Sequence, residues 1–152
     1  MAELSLIPQV VSTLLSQFAA LPALQQVQVD IGAPGTDDTA TETVWLADSD
    51  QWTFEHRVLS GGQASLARDE EATLPWVIEV RSKVRRIDSF LRAFQLVDEI
   101  TYHVASDPRL GGGIAGLVTA TFGDGRYELE QAGNKPKTKV TLDLNIKGQL
   151  RP

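Results

Sequence analysis

Between residues 138 and 148 the chain alternates without a break. Val140, Leu142, Leu144 and Ile146 fall on one side, and Thr141, Asp143, Asn145 and Lys147 on the other. A period of two is the pattern of a strand with one buried face. The stretch PWVIEVRSKV does the same, setting Trp76, Ile78, Val80 and Val84 against Glu79, Arg81 and Lys83. A sheet with one apolar face must be covered, and only two stretches have the spacing of a helix. Residues 7–20 place Ile7, Val10, Val11, Leu14, Leu15 and Phe18 on one face, with Pro8 in the first turn and Pro22 as the stop. Residues 88–105 offer Asp88 as a cap, a buried stripe of Phe90, Leu91, Phe94, Val97, Thr101 and Val104, and Asp107-Pro108 as the end.

Further stretches read as strands. VQVDI (27–31) is one, and TVWLA with QWTFEHRVL forms a hairpin around DSD. Residues 114–122 and 126–131 precede the alternating segment, joined by a turn at Gly123-Asp124-Gly125. Polar loops are expected at 32–42 and 60–74. The sum is an α+β fold: a mostly antiparallel sheet with two helices packed on it, in a single domain spanning 1–152.

Charge divides the chain. Residues 1–56 hold no Lys or Arg and eight acids, whereas all fourteen basic residues lie from Arg57 onward beside twelve acids. That asymmetry fits a solvated acidic face, or a polarised subunit whose acidic part docks on the basic part of a copy or partner. It does not fit a nucleic-acid binder. The absence of cysteine excludes disulfides, a thiolate nucleophile and a cysteine zinc site. No targeting signal is visible and no apolar run approaches the roughly 20 residues that cross a bilayer, so a soluble protein is expected.

The segment DPRLGGGIAGLVTATFGDG holds half of the twelve glycines. A phosphate loop runs from a strand through glycines to Lys-Ser/Thr and a helix N-terminus. Here a helix precedes the glycines, a strand follows, and the lysine is missing. Gly111 to Gly113 instead let the chain reverse, through φ angles closed to other residues. His56 and His103 sit on different elements, and the acidic runs DEE (69–71) and TDD (36–38) lack the spacing of a calcium loop. NKPKTKV forms a small basic turn with Lys135, Lys137 and Lys139, without the interleaved aromatics of a nucleic-acid surface. No catalytic, cofactor or metal residue is identified.

The order of elements, with QVVSTLLSQFAALPAL, VQVDIGAPG, ETVWLAD, RDEEATLPWVIEV, DPRLGGGIAGLV and TKVTLDLNIKGQL, resembles the tail terminator (minor tail or tail completion) proteins of long-tailed bacteriophages. The resemblance spans nearly the whole chain. It implies a structural virion protein that assembles in the host cytoplasm as a ring, typically a homohexamer, on the end of the tail tube. Such a ring stops tube growth and offers a docking surface to the head connector. Its partners are itself, the tail tube protein and the connector, with DNA passing through the lumen unbound, and it needs neither enzyme chemistry nor a cofactor. Within that reading, Asp37 and Asp38 of one subunit are expected near Lys135, Lys137 or Lys139 of the next. Two alternatives stand beside it. One is a head-closure or neck protein. The other is a small-ligand domain of helix-grip type, with Trp45, Trp52, Phe54 and Trp76 lining its cavity.

Overall fold

The computed structural model describes residues 5–32, 41–58, 68–81, 85–132 and 135–150. In chain order these form α1 (Ile7–Ala20), a 3-10 turn (Pro22–Leu24), β1 (Gln28–Ile31), β2 (Glu42–Leu46), a second 3-10 turn (Ser49–Gln51) and β3 (Thr53–Val58). There follow β4 (Arg68–Arg81), α2 (Arg86–Ser106), β5 (Leu117–Ala132) and β6 (Lys135–Leu150). The strands make one sheet in the order β1-β2-β4-β6-β5, with β3 also paired to β4. Every pairing is antiparallel except that of β1 with β2, which is parallel. The α+β architecture expected from the alternation is present, with this one parallel step.

The backbone of the fold is the β4–β6 ribbon. Its register runs unbroken from Arg68↔Leu150 to Arg81↔Lys137. Even-numbered residues of both strands turn inward, and Ala72, Leu74, Trp76, Ile78, Val80, Val140, Leu142, Leu144 and Ile146 are all buried. The 68–74 half, expected as loop, is strand. Glu70, Ala72 and Leu74 keep the inward parity, and the run of acids hides it because Glu70 is itself buried.

β2 and β3 do not form the expected hairpin. Both pair with β4, end to end along one edge: Leu46↔Trp76 closes the first ladder and Thr53↔Thr73 opens the second. Pro75 lies at the interruption. Its carbonyl accepts the Ala47 N–H at 2.9 Å, so its missing donor faces the gap rather than β6, and a proline is tolerated inside a central strand.

The three closing strands are two. β5 is continuous through Gly123-Asp124-Gly125, which is no turn. Register slips by one residue between Phe122 and Gly125, and again between Leu117 and Thr119. Each bulge inserts one extra residue and reverses the inward parity. Lys135, Lys137 and Lys139 likewise lie in β6, not in a basic turn.

Both helices cover the inward face. α1 buries Ile7, Val10, Val11, Leu14 and Phe18, and the Phe18 ring meets Trp76 edge-on at 5.4 Å. In α2 the buried stripe is rotated from the expected one. Ser89, Ala93, Leu96, Ile100 and Val104 are buried, Phe90, Phe94, Val97 and Thr101 are half-buried, and Leu91 is exposed. The reason is size. Ser89 and Ala93 let the helix approach the sheet, where the Ser89 and Thr138 hydroxyls bond at 2.9 Å. Phe90 and Phe94 are left at the margin against Tyr127 of β5. Asp88 is not the cap; it sits inside the first turn and pairs with Arg85 at 3.2 Å. Arg92 ties α2 to β2 and to the first 3-10 turn through both Glu42 oxygens (2.9 and 3.0 Å) and the Ala23 carbonyl at 3.1 Å.

Leu14 is fully buried under α1. Leu14→Ala should cost about 2–5 kcal/mol, the range for a buried leucine, read as a lower urea midpoint at unchanged slope.

Candidate functional site

Two acids are buried on opposite faces of the β4–β6 ribbon. Glu70 points inward and is wholly buried. Its Oε1 accepts the Leu6 N–H at 2.6 Å, and its Oε2 lies 2.5 Å from His56 Nε2 of β3. Ser5 Oγ accepts the Ile7 N–H at 3.1 Å, but the N-cap residue of α1, Leu6, has no side chain that can cap. The Glu70 carboxylate takes that place from another element, satisfying an N–H and setting negative charge at the helix's positive end. This is a structural carboxylate, and nothing in the local pattern around residue 70 marks it as one.

Glu79 points outward, yet it is buried, not solvated as its strand parity suggested. Arg81 Nε reaches it at 3.1 Å and Lys137 Nζ at 2.8 Å. Beside it the Lys139 ammonium stands 5.9 Å above the Trp45 ring, and Trp45, Ala47 and Val77 form a small second apolar cluster. Lys137 and Lys139 therefore already have partners within their own sheet. Asp37 and Asp38 lie outside the described residues.

The remaining candidates separate in space. His103 of α2 bonds Gln17 of α1 at 2.7 Å, whereas His56 belongs to Glu70. Glu70 turns inward while its neighbours Asp69 and Glu71 take the opposite parity of β4, so the DEE run is split across the sheet. The TDD run lies outside the described residues. Among the described residues no three His, Asp or Glu side chains are grouped to hold a metal, and no helix is long and apolar enough to cross a membrane. The aromatics of the ligand-cavity reading also diverge: Trp76 is in the main core, Trp45 in the cluster on the other face, and Phe54 is exposed. The glycine loop is a chain reversal, and Gly111 and Gly112 have the expected positive φ (+90° and +75°), but Gly113 does not, and the reversal begins with Leu110 at φ +53°. Leu110 and Ile114 anchor it in the core.

What the surface does carry is apolar. A groove of about 550 Å³ lies between α1, the end of β1 and the turn before β3, lined by Ile7, Pro8, Val11, Ser12, Leu15, Ile31 and Trp52. At the β5 edge, Ile87 and Leu91 of α2 join Tyr127 and Leu129 of β5 as exposed apolar side chains around the Phe90–Phe94 pair. Periodicity reveals neither surface, because each combines residues from elements far apart in sequence.

The fold is shared with a chain of a virion. That solved structure is described as "Virion of native gene transfer agent (GTA) particle", and the alignment has a TM-score of 0.55 at 15% identity. It covers 96% of this chain and 100% of the virion chain. No protein-family model matches the sequence, and no curated protein does. At this identity the likeness is one of fold, and it runs from end to end.

Removing the histidine leaves Glu70 Oε2 buried without its partner. His56→Ala should cost about 1–3 kcal/mol, as for an orphaned buried acceptor. Adding Glu70→Gln should return part of that loss, because the amide oxygen still accepts from Leu6 while the charge is gone. A double-mutant cycle by chemical denaturation reads the coupling.

Proposed function

We propose that this chain is a structural, non-enzymatic component of a phage-like virion, and within it the protein that closes the end of the tail tube as a ring. The observation that carries the proposal is the sharing of one fold, over 96% of the chain, with a virion protein. Two further features support it. Both buried acids and the half-buried Glu42 engage in structural pairs: Glu70 with His56, Glu79 with Arg81 and Lys137, and Glu42 with Arg92. The apolar surfaces at the two sheet edges are of the kind that assembly covers. A formal charge of -6 also favours passage of DNA through a ring over adhesion to it.

The test is tube growth. Tail tube protein of the same particle, polymerised with this chain, should give tubes of limited length with added density at one end in negative stain. Tubes that grow unchanged while the chain binds the head connector would assign it to head closure. Binding to neither would overturn the virion-end reading.

Charge should set subunit register. Asp37→Lys with Asp38→Lys should impair capping, and Lys137→Glu with Lys139→Glu should restore it in part. The rescue is bounded by the contacts those lysines already make to Glu79 and Trp45. Each exposed pair contributes only about 0.2–1 kcal/mol, so capping by the reversed variant should be salt-sensitive rather than lost at every ionic strength. Undiminished capping by the Asp37→Lys, Asp38→Lys variant alone would remove this contact.

A further inference from the structure

The apolar groove and the apolar ridge cannot meet within one molecule. The groove's Ile31 belongs to β1 and the ridge's Tyr127 and Leu129 to β5, the first and last strands of the β1-β2-β4-β6-β5 order. Four strand spacings of about 4.8 Å separate them, roughly 20 Å of sheet. Each surface is uncovered among the described residues, and neither can reach round the sheet to cover the other.

The two differ in shape and in charge. The first is concave, walled by α1 and floored by Ile31 and Trp52. The second is made of protruding side chains: Ile87 (48% exposed) and Leu91 (59%) stand one helical turn apart on α2, whose Phe90 and Phe94 rings pack against exposed Tyr127 (60%). The groove lies wholly in the segment that lacks Lys and Arg, with exposed Asp50 near Trp52. The ridge opens with Arg85, exposed and paired to Asp88 of its own helix.

From this complementarity we infer that the groove receives the α2–β5 ridge of a second copy of this chain, Ile87 and Leu91 seating against Ile31 and Trp52. The contact is heterologous: the surface used on one copy differs from that used on the next, so both remain available for further copies. Such contacts propagate around a ring when the rotation closes, and into a filament when it does not. The apolar side chains supply the affinity. The acidic rim facing Arg85 supplies encounter rate and orientation. The inference rests on the ring reading above and names the surfaces that reading requires.

The chain has no cysteine, so introduced thiols report without background. Ile31→Cys with Leu91→Cys in one full-length chain, treated with a short bismaleimide alone and on tail tubes, should give a ladder of covalent oligomers. Equal amounts of the two single variants should give one covalent dimer and nothing larger. Adding Tyr127→Asp to the double variant should abolish the ladder while far-UV circular dichroism stays unchanged. Covalent dimers from either single variant alone would mean a twofold contact and overturn the inference. So would the absence of a ladder both in solution and on tubes. An Ile31→Cys thiol that resists maleimide in the monomer would mean the groove is filled from within its own chain, which overturns the inference equally. A ladder without tube capping leaves the contact standing and removes the tail-end role. Capping without a ladder does the reverse.

Discussion

The β4–β6 ladder is the interaction on which the other elements depend. Its unbroken register gives one long, twisted surface whose inward side chains meet both helices, while its flanks accept β2, β3 and β5. α1 is held at one end of this ribbon by Glu70, and α2 begins at the other over Thr138. The irregularities of the sheet are all kept off this pair. The interruption between β2 and β3 falls on the outer flank of β4, where Pro75 needs no partner for its nitrogen. The bulges fall on β5. A central ladder free of defects lets the edge strands bend without changing which residues reach the core.

Register along that ladder is fixed by more than apolar alternation. A slip of one residue would carry every inward side chain to the other face. Apolar positions alone penalise such a slip, but the two buried acids sharpen it. Glu70 has inward parity and finds His56 and a helix N-terminus. Glu79 has outward parity and finds Arg81 and Lys137. Shifted by one, each would turn to the opposite face and lose its partners, and an unpaired buried carboxylate is far costlier than a misplaced alanine. This is a use for buried charge that does not require a net gain in stability over an apolar pair.

The fold is legible in the sequence where the periodicity is simple. Residues 7–20 mark α1 with its true ends, and Val140 to Ile146 set the phase of β6 without error. Elsewhere expectation and structure part for particular reasons. The 68–74 half of β4 reads as a polar loop because Glu70 occupies a core position. The stripe of α2 reads one step off because Ser89 and Ala93, small rather than greasy, take the places nearest the sheet. Gly123-Asp124-Gly125 has the composition of a hairpin turn but serves as a bulge, and no alternation rule survives two parity changes in one strand. The lysines of NKPKTKV have the look of a turn, although Pro136, Thr138 and Val140 alternate with them as buried neighbours. The surfaces are least legible of all, since an edge patch exists only once the strand order is known.

That strand order also decides which kind of assembly the surfaces favour. In a twofold contact each surface meets its own copy. Two grooves face to face would leave a void between concave walls and bring Asp50 of both copies together. Two ridges would bury Leu91 and Tyr127 but set Arg85 against its own kind. Both arrangements oppose like charges and leave the other apolar surface bare. Groove on ridge avoids both costs. Because the surfaces sit on opposite edges of a single sheet, the sheet's twist contributes to the rotation from one copy to the next. A ring, unlike a filament, needs a rotation that closes. The long, unbulged β4–β6 ribbon is suited to hold that rotation constant, since nothing along it can hinge without breaking core pairs.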